Sequence, residues 1–340
     1  LTFLLITFLT SLISIPSLVN AWGVEGHATV AQIAQNFLQK DIADKVANLL
    51  HKKSLSDVAS WADDFKMYPF ANWSKGLHYM NTEDPNGKTC SVNMKNKSAK
   101  CPKGLDGPNV CECNNIVGAI ANYTIQLDCT SKQQWNCINM KSSCHKDKCD
   151  YCCGDDAECR RGIALCFLTH FVGDITQPLH VSRDRHGGSK INVNFDNVTL
   201  PLLEIWDTEM VEKRLKSDDI GKYSEFLTKE IRKGKYKSDI EKYSDFLTNE
   251  IRNGKYAPEK DKWVSCINNP GATTQCPLDW AKDTNAINCK YPFIWDARNT
   301  PKLDLEGDYY IKAVPIIDEQ IAKGGYRLGM LLNSILGKKC

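Results

Sequence analysis

Residues 164–181, ALCFLTHFVGDITQPLHV, place His170, Asp174 and His180 inside an apolar run. His170 and Asp174 are four apart, so on a helix both side chains leave the same face. Ile163, Cys166, Phe167 and Phe171 lie on or beside that stripe, which turns the polar pair toward a core. Pro178 ends the helix, because it lacks an N–H and disfavours helix at the residue before it. The chain then turns and brings His180 back toward the pair. Two imidazoles and a carboxylate converging on a buried point suit zinc, which takes nitrogen and oxygen ligands. A pair of hydrogen-bonded core histidines with a helix-capping aspartate fits the same residues, so the triplet alone leaves both readings open.

Helical spacing recurs on both sides of this stretch. WGVEGH, from Trp22 to His27, leads into Val30, Ile33, Ala34, Phe37 and Leu38. Asp41 to His51 reads as a second amphipathic helix, and GAIANYTIQL from Gly118 as another. SLSDVASWADDF carries Asp63, and GLHYMNTED carries His78. Beyond the central stretch, Ile191–Phe195 and Val198–Leu200 alternate around Asp196-Asn197 and predict a short hairpin. LLEIWDTEMVEKRL resumes helix with Asp207 in it. Residues 217–256 hold a near-duplicate at a 20-residue offset, KYSEFLTKEIRKGKY then KYSDFLTNEIRNGKY, each copy putting Tyr, Phe, Leu and Ile on one face. Two copies are too few for a solenoid, so the segment reads as an extended helical hairpin. Asp308 to Leu336 is one broken apolar helix that closes the core. About ten helices and one hairpin make the fold class all-α, a mostly helical single domain.

Leu1 to Val19 is apolar and uncharged, and Val19 with Ala21 forms a signal-peptidase site before Trp22. Residues 1–21 therefore read as a signal peptide and 22–340 as the mature domain; the alternative is a membrane anchor. The run has no Met and no basic flank ahead of it, which points to a start further upstream. No later stretch reaches ~18 consecutive apolar residues, so stable membrane association is not expected. Sixteen cysteines fit disulfides in an oxidising compartment. Eight of them fall in a cysteine-rich insert at about 129–160 and just past it, where Cys149, Cys152 and His145 also have metal-ligand spacing. Sequons at Asn72, Asn96, Asn122 and Asn197 agree with secretion and place those residues on the surface. The net charge of +2 gives no broad track for duplex DNA.

WGVEGH, SWAD, GLHYMNTED, THFVGDITQPLH, the Gly187-Gly188 pair and EIWDTEM occur here in that order. Together they resemble the S1/P1-type zinc nucleases of fungi and plants. That resemblance implies three zinc sites. One takes Asp63, His78, His170 and Asp174. The second takes the amine and carbonyl of Trp22, His27 and the other oxygen of Asp174. The third takes His180 and Asp207. It further implies that Asp63 orients the attacking water, that Lys66 neutralises transition-state charge, and that Tyr79 and Asn81 contact the base. The expected substrates are single-stranded DNA and RNA and 3′-nucleotides, and the expected state is a monomer.

One position departs from the family pattern. Four residues before the aspartate of the WD motif the family carries a histidine ligand, and here Leu203 stands there. The third site is thus expected to keep two protein ligands. Glu204 on a helix points about 100° away from Leu203, and His186 in the DRHGG turn is a possible substitute. Asn81 replaces a common aspartate. Two rival functions follow: a zinc-dependent phospholipase C of the same superfamily, and a zinc-stabilised binding protein that has lost catalysis through Leu203.

Overall fold

The computed structural model describes residues 22–82, 115–131, 157–182, 186–216, 237–269, 271–288, 290–292 and 305–339. The leader, the sequon at Asn96, the His145–Cys149–Cys152 cluster and the first copy of the duplication lie outside them. The helices in chain order are α1 (Gly23–Phe37), α2 (Lys40–Leu49), α3 (Leu55–Val58), α4 (Trp61–Phe65), α5 (Ile116–Leu127) and α6 (Ala157–Asp174). They continue with α7 (Leu202–Glu204), α8 (Met210–Lys216), α9 (Lys237–Arg252), α10 (Lys260–Trp263), α11 (Ala272–Asn288) and α12 (Asp308–Leu336). Short 3-10 helices cover Pro69–His78 and Pro178–Val181.

The central stretch becomes α6, as its spacing predicts, and every residue from Gly162 to Ser182 is buried. A helix buried on all sides needs neighbours on all sides. α6 packs against α1, α2, α3, α4, α5 and α12. Phe167 is its anchor, stacked on Tyr123 of α5 and edge-on to Trp61 and Phe65 of α4. A second apolar cluster gathers Trp22, the hairpin, α8, α9 and α12. α1 joins the two, with Ala31 and Ala34 in one and Val30 and Ile33 in the other. It reaches α12 closely because Gly325 has no side chain: a Cβ there would overlap Ile33.

The hairpin forms where expected, β1 (Asn192–Phe195) pairing antiparallel with β2 (Val198–Pro201) in the register Phe195 to Val198. Asp196 and Asn197 both take positive φ, 46° and 67°, as a two-residue hairpin turn requires. Four expectations are corrected. The last helix is unbroken through Pro315. Pro315 can donate no bond to the Ile311 carbonyl, but Ile311 is 65% exposed, so water can meet that carbonyl. In the second copy of the duplication Tyr243, Leu247 and Ile251 are buried while Phe246 is exposed, because the i, i+4, i+8 row faces the core and Phe246 sits beside it. The Leu202–Lys216 helix holds a π-turn at Ile205–Glu209 that its spacing does not announce.

The last correction concerns glycosylation. Asn72 and Asn197 are exposed as expected. Asn122 is on α5, fully buried, with both amide atoms lacking a hydrogen-bond partner. A glycan cannot be seated there, so the Asn122 sequon is not a surface site. Cys266 and Cys276 form a disulfide, and Cys166 on α6 is buried. Among the described residues no helix is long and apolar enough to cross a membrane.

Candidate metal centre

The last turn of α6 delivers His170 and Asp174. α4 delivers Asp63, buried, while its neighbour Asp64 faces solvent. The 3-10 helix Pro69–His78 ends on His78. Four donor atoms meet here: Asp63 Oδ1, His78 Nδ1, His170 Nε2 and Asp174 Oδ2. Five separations among them are 3.0, 3.0, 3.2, 3.4 and 3.4 Å. A tetrahedral zinc with arms of about 2.0–2.2 Å has ligand edges of about 3.3–3.6 Å. Those five edges lie close to the spacing of a zinc ligand set.

His27 approaches from α1. Its Nε2 lies 3.2 Å from Asp174 Oδ1, and its ring stacks on His170 with centroids 3.9 Å apart. Gly173 permits this, since a Cβ there would come within 2.8 Å of His27 Nδ1. Trp22 is fully buried beside it, its indole N–H shared between the Gly173 carbonyl and Thr176 Oγ1, each at 3.0 Å. His27, His170 and Asp174 form one group of potential ligands, and Asp63, His78 and His170 another, with the ligand atoms of each within 4.8 Å of one another.

His180 and Asp207 stand next to these groups as a pair, Nε2 to Oδ2 at 3.7 Å. Residues 78–80 pin His180 in place. Its Nδ1–H donates to the His78 carbonyl at 2.8 Å, and Met80 N–H donates to its carbonyl at 2.8 Å. His170 is held likewise by its Nδ1–H on the Ala59 carbonyl at 2.7 Å. In both rings the backbone bond fixes the tautomer and leaves the Nε2 lone pair aimed at the site.

The buried atoms His27 Nε2, Asp63 Oδ2, Asp174 Oδ1, His180 Nε2 and Asp207 Oδ2 make no hydrogen bond. Buried polar atoms are normally paired, and orphans clustered in one place mark a position for another partner. The donors are nitrogen and carboxylate oxygen, which is zinc chemistry. The residues present therefore fit a metal.

Electrostatics agree. Burial alone would raise Asp63 and Asp174, but His170 outweighs it, aided at Asp63 by Lys66, and both carboxyls lie far below the ordinary range. Burial alone would lower His170, but Asp174 and Asp63 hold its imidazolium form up to about 10. A site that grips a proton this way attracts a metal cation to the same lone pair. Burial, then Lys66, pushes His78 down to about 4 and keeps its ring neutral. Asp207 differs: burial raises it to about 7.

Lys66 contacts Asp63 Oδ1. Tyr79, next to His78, is 44% exposed, and Asn81 is exposed beyond it. His186 is also exposed, in a left-handed turn with φ 57°. Leu203 is buried. Gln177, which the sequence reading passed over, donates from Nε2 to Asp207 Oδ1 and accepts Leu179 N–H on Oε1. Its place just before Pro178 was the available signal, since side chains that bond the first N–H groups of a helix sit there.

The chain matches the S1/P1 Nuclease family over residues 22–337. It is 31% identical over 324 residues to Nuclease P1 of Penicillium citrinum, covering 94% of this chain and 99% of that protein. Endonuclease 4 of Arabidopsis thaliana is 31% identical, with 94% and 90% covered, and Nuclease S1 of Aspergillus oryzae is 30% identical, with 95% and 94% covered. A cluster of potential metal ligands in a mostly helical fold, matched from Trp22 to the end of the last helix, makes this hydrolase a member of the S1/P1 nuclease family.

Proposed function

We propose that the chain cuts single-stranded DNA and RNA at a zinc centre, leaving 5′-phosphates, and that it also removes 3′-phosphates from nucleotides. The observation that carries this reading is the four-donor set of Asp63, His78, His170 and Asp174, with separations of 3.0–3.4 Å. His27 and Asp174 Oδ1 would hold a neighbouring zinc, with the Trp22 backbone completing it once the leader is removed. Bound zinc would supply a water of lowered pKa and positive charge for the phosphate.

The chain's own residues do the rest. Asp63 Oδ2 is buried and unbonded, and it would orient the attacking water by accepting a hydrogen bond from it. Lys66, held against Asp63, would neutralise charge building on the phosphate oxygens. Tyr79 offers an exposed ring beside the cluster on which a base can stack. Stacking needs an unpaired base, which supports a preference for single strands. Asn81, beside Tyr79 in sequence and also exposed, offers both a donor and an acceptor to the base edge. The apolar leader, the paired cysteines and the exposed sequons Asn72 and Asn197 support secretion.

The test is Tyr79→Ala assayed on single strands and on duplex. Lost stacking of ~1–3 kcal/mol per base predicts a KM on single strands raised about 5- to 150-fold, with duplex cutting little changed. An equal loss on both substrates would overturn the role given to Tyr79.

A further inference from the structure

His180 Nε2 and Asp207 Oδ2 are buried, make no hydrogen bond and face each other at 3.7 Å. Each residue has one donor atom to give. His180 Nδ1 is spent on the His78 carbonyl, and Asp207 Oδ1 on Gln177. Zinc sites in enzymes are built from about three protein ligands with one open position. The residue placed to complete this one is Leu203, four before Asp207 and so on the same helical face. The π-turn at Ile205–Glu209 changes that offset little, because four residues make nearly one full turn in either helix. Leu203 is buried and has no lone pair.

Among the described residues no other His, Cys, Asp or Glu forms a ligand group with this pair. The groups of three or more potential ligands are His27–His170–Asp174 and Asp63–His78–His170, and neither contains His180 or Asp207. His186 points to solvent. Glu204 Oε2 is buried without a hydrogen bond, but it is not within ligand range of the pair. The wider π-turn carries it further round from Asp207 than an α-helix would.

We infer that this chain holds two zinc ions firmly and that His180–Asp207 is a two-donor position which exchanges its metal and fills only when free zinc is raised. This rests on the zinc-centre reading above, and it adds a form of regulation. Hydrolysis would follow free zinc, with Leu203 setting the range over which it responds. A histidine in place of Leu203 would abolish that response.

The test is zinc stoichiometry by native mass spectrometry of the mature chain, desalted into metal-free buffer and then titrated with zinc. The expected result is two ions retained after desalting and a third bound only in excess zinc. Leu203→His should retain three, with the third ion held at least ~10–100-fold more tightly. Hydrolysis of single strands should rise with the third ion in the native chain and be flat in the variant. Three ions retained by the native chain would overturn the inference, and Glu204→Gln then holding two would assign Glu204 as the missing ligand. Fewer than two retained would overturn the zinc-centre reading beneath it. The native chain decides the matter even if a variant fails to fold.

Discussion

At the scale of single residues, the strongest contrast lies between Asp63 and Asp207. Both are buried carboxylates beside an imidazole, yet Asp63 is held far below the ordinary range and Asp207 is raised to about 7. The difference is company: Asp63 has His170, Lys66 and His78 around it, whereas burial dominates at Asp207. Lys66 is therefore the residue whose loss should isolate charge stabilisation from metal binding. Lys66→Ala should lower kcat by ~10²–10³-fold with zinc content unchanged. A variant that loses zinc in proportion to activity would show that Lys66 acts only through the ligand set. Of the candidate ligands, His170, Asp174 and His180 stood out from their spacing in an apolar run, whereas Trp22, His27, Asp63, His78 and Asp207 were marked by the family resemblance. Which of Asp63 and Asp64 faces inward came from the family resemblance. Gln177 was not legible, since an amide before a proline serves equally as an ordinary helix cap.

At the scale of elements, the site depends on how closely α1 can approach the end of α6. Gly173 is the point of contact, with no Cβ to meet His27. Gly173→Ala should cost ~1–3 kcal/mol through overpacking and push His27 off Asp174. The expected outcome is a lowered Tm together with loss of the metal that His27 would hold; unchanged metal content would contradict the packing argument. The helices α1, α2, α5, α6 and α12 were legible from their apolar spacing, although Phe246 of α9 left the face assigned to it, and the hairpin was legible because Asp196-Asn197 tolerates positive φ. The π-turn was not legible, because a shift in backbone bonding leaves no mark on side-chain spacing. The break expected in the last helix is absent: the helix runs on through Pro315, where the exposure of Ile311 lets water meet the carbonyl left without a donor, offsetting part of the cost of the proline. The Asn122 sequon misled because three residues define the motif, but the packing of α5 against α6 and α11 decides the burial.

At the scale of the whole molecule, two apolar clusters joined by α1 hold the ligands from both sides, so metal binding and folding are linked. Charge networks away from the centre tie the same elements. Arg214 of α8 makes a two-point contact with Asp318 of α12, which also accepts the Tyr243 hydroxyl of α9. Arg327 and Lys323 of α12 hold Asp283 of α11. Burial would raise Asp283, but Arg327 and Lys323 outweigh it and lower it. A lowered carboxyl stabilises the fold above its unfolded value, about 3.9, and that stability is lost as pH falls through the folded value. Asp283→Asn should therefore be less stable than the native chain to urea at neutral pH, and the gap should close below about pH 4. A gap that stayed constant with pH would contradict the pairing. The central claim is metal-dependent cleavage of nucleic acid by this cluster, and its most direct test is hydrolysis of single-stranded DNA by the purified mature chain, before and after chelation. The account predicts cleavage that a chelator stops and added zinc restores, and that Asp63→Asn reduces at least ~100-fold. Cleavage indifferent to the chelator, or none at any zinc concentration, would contradict it.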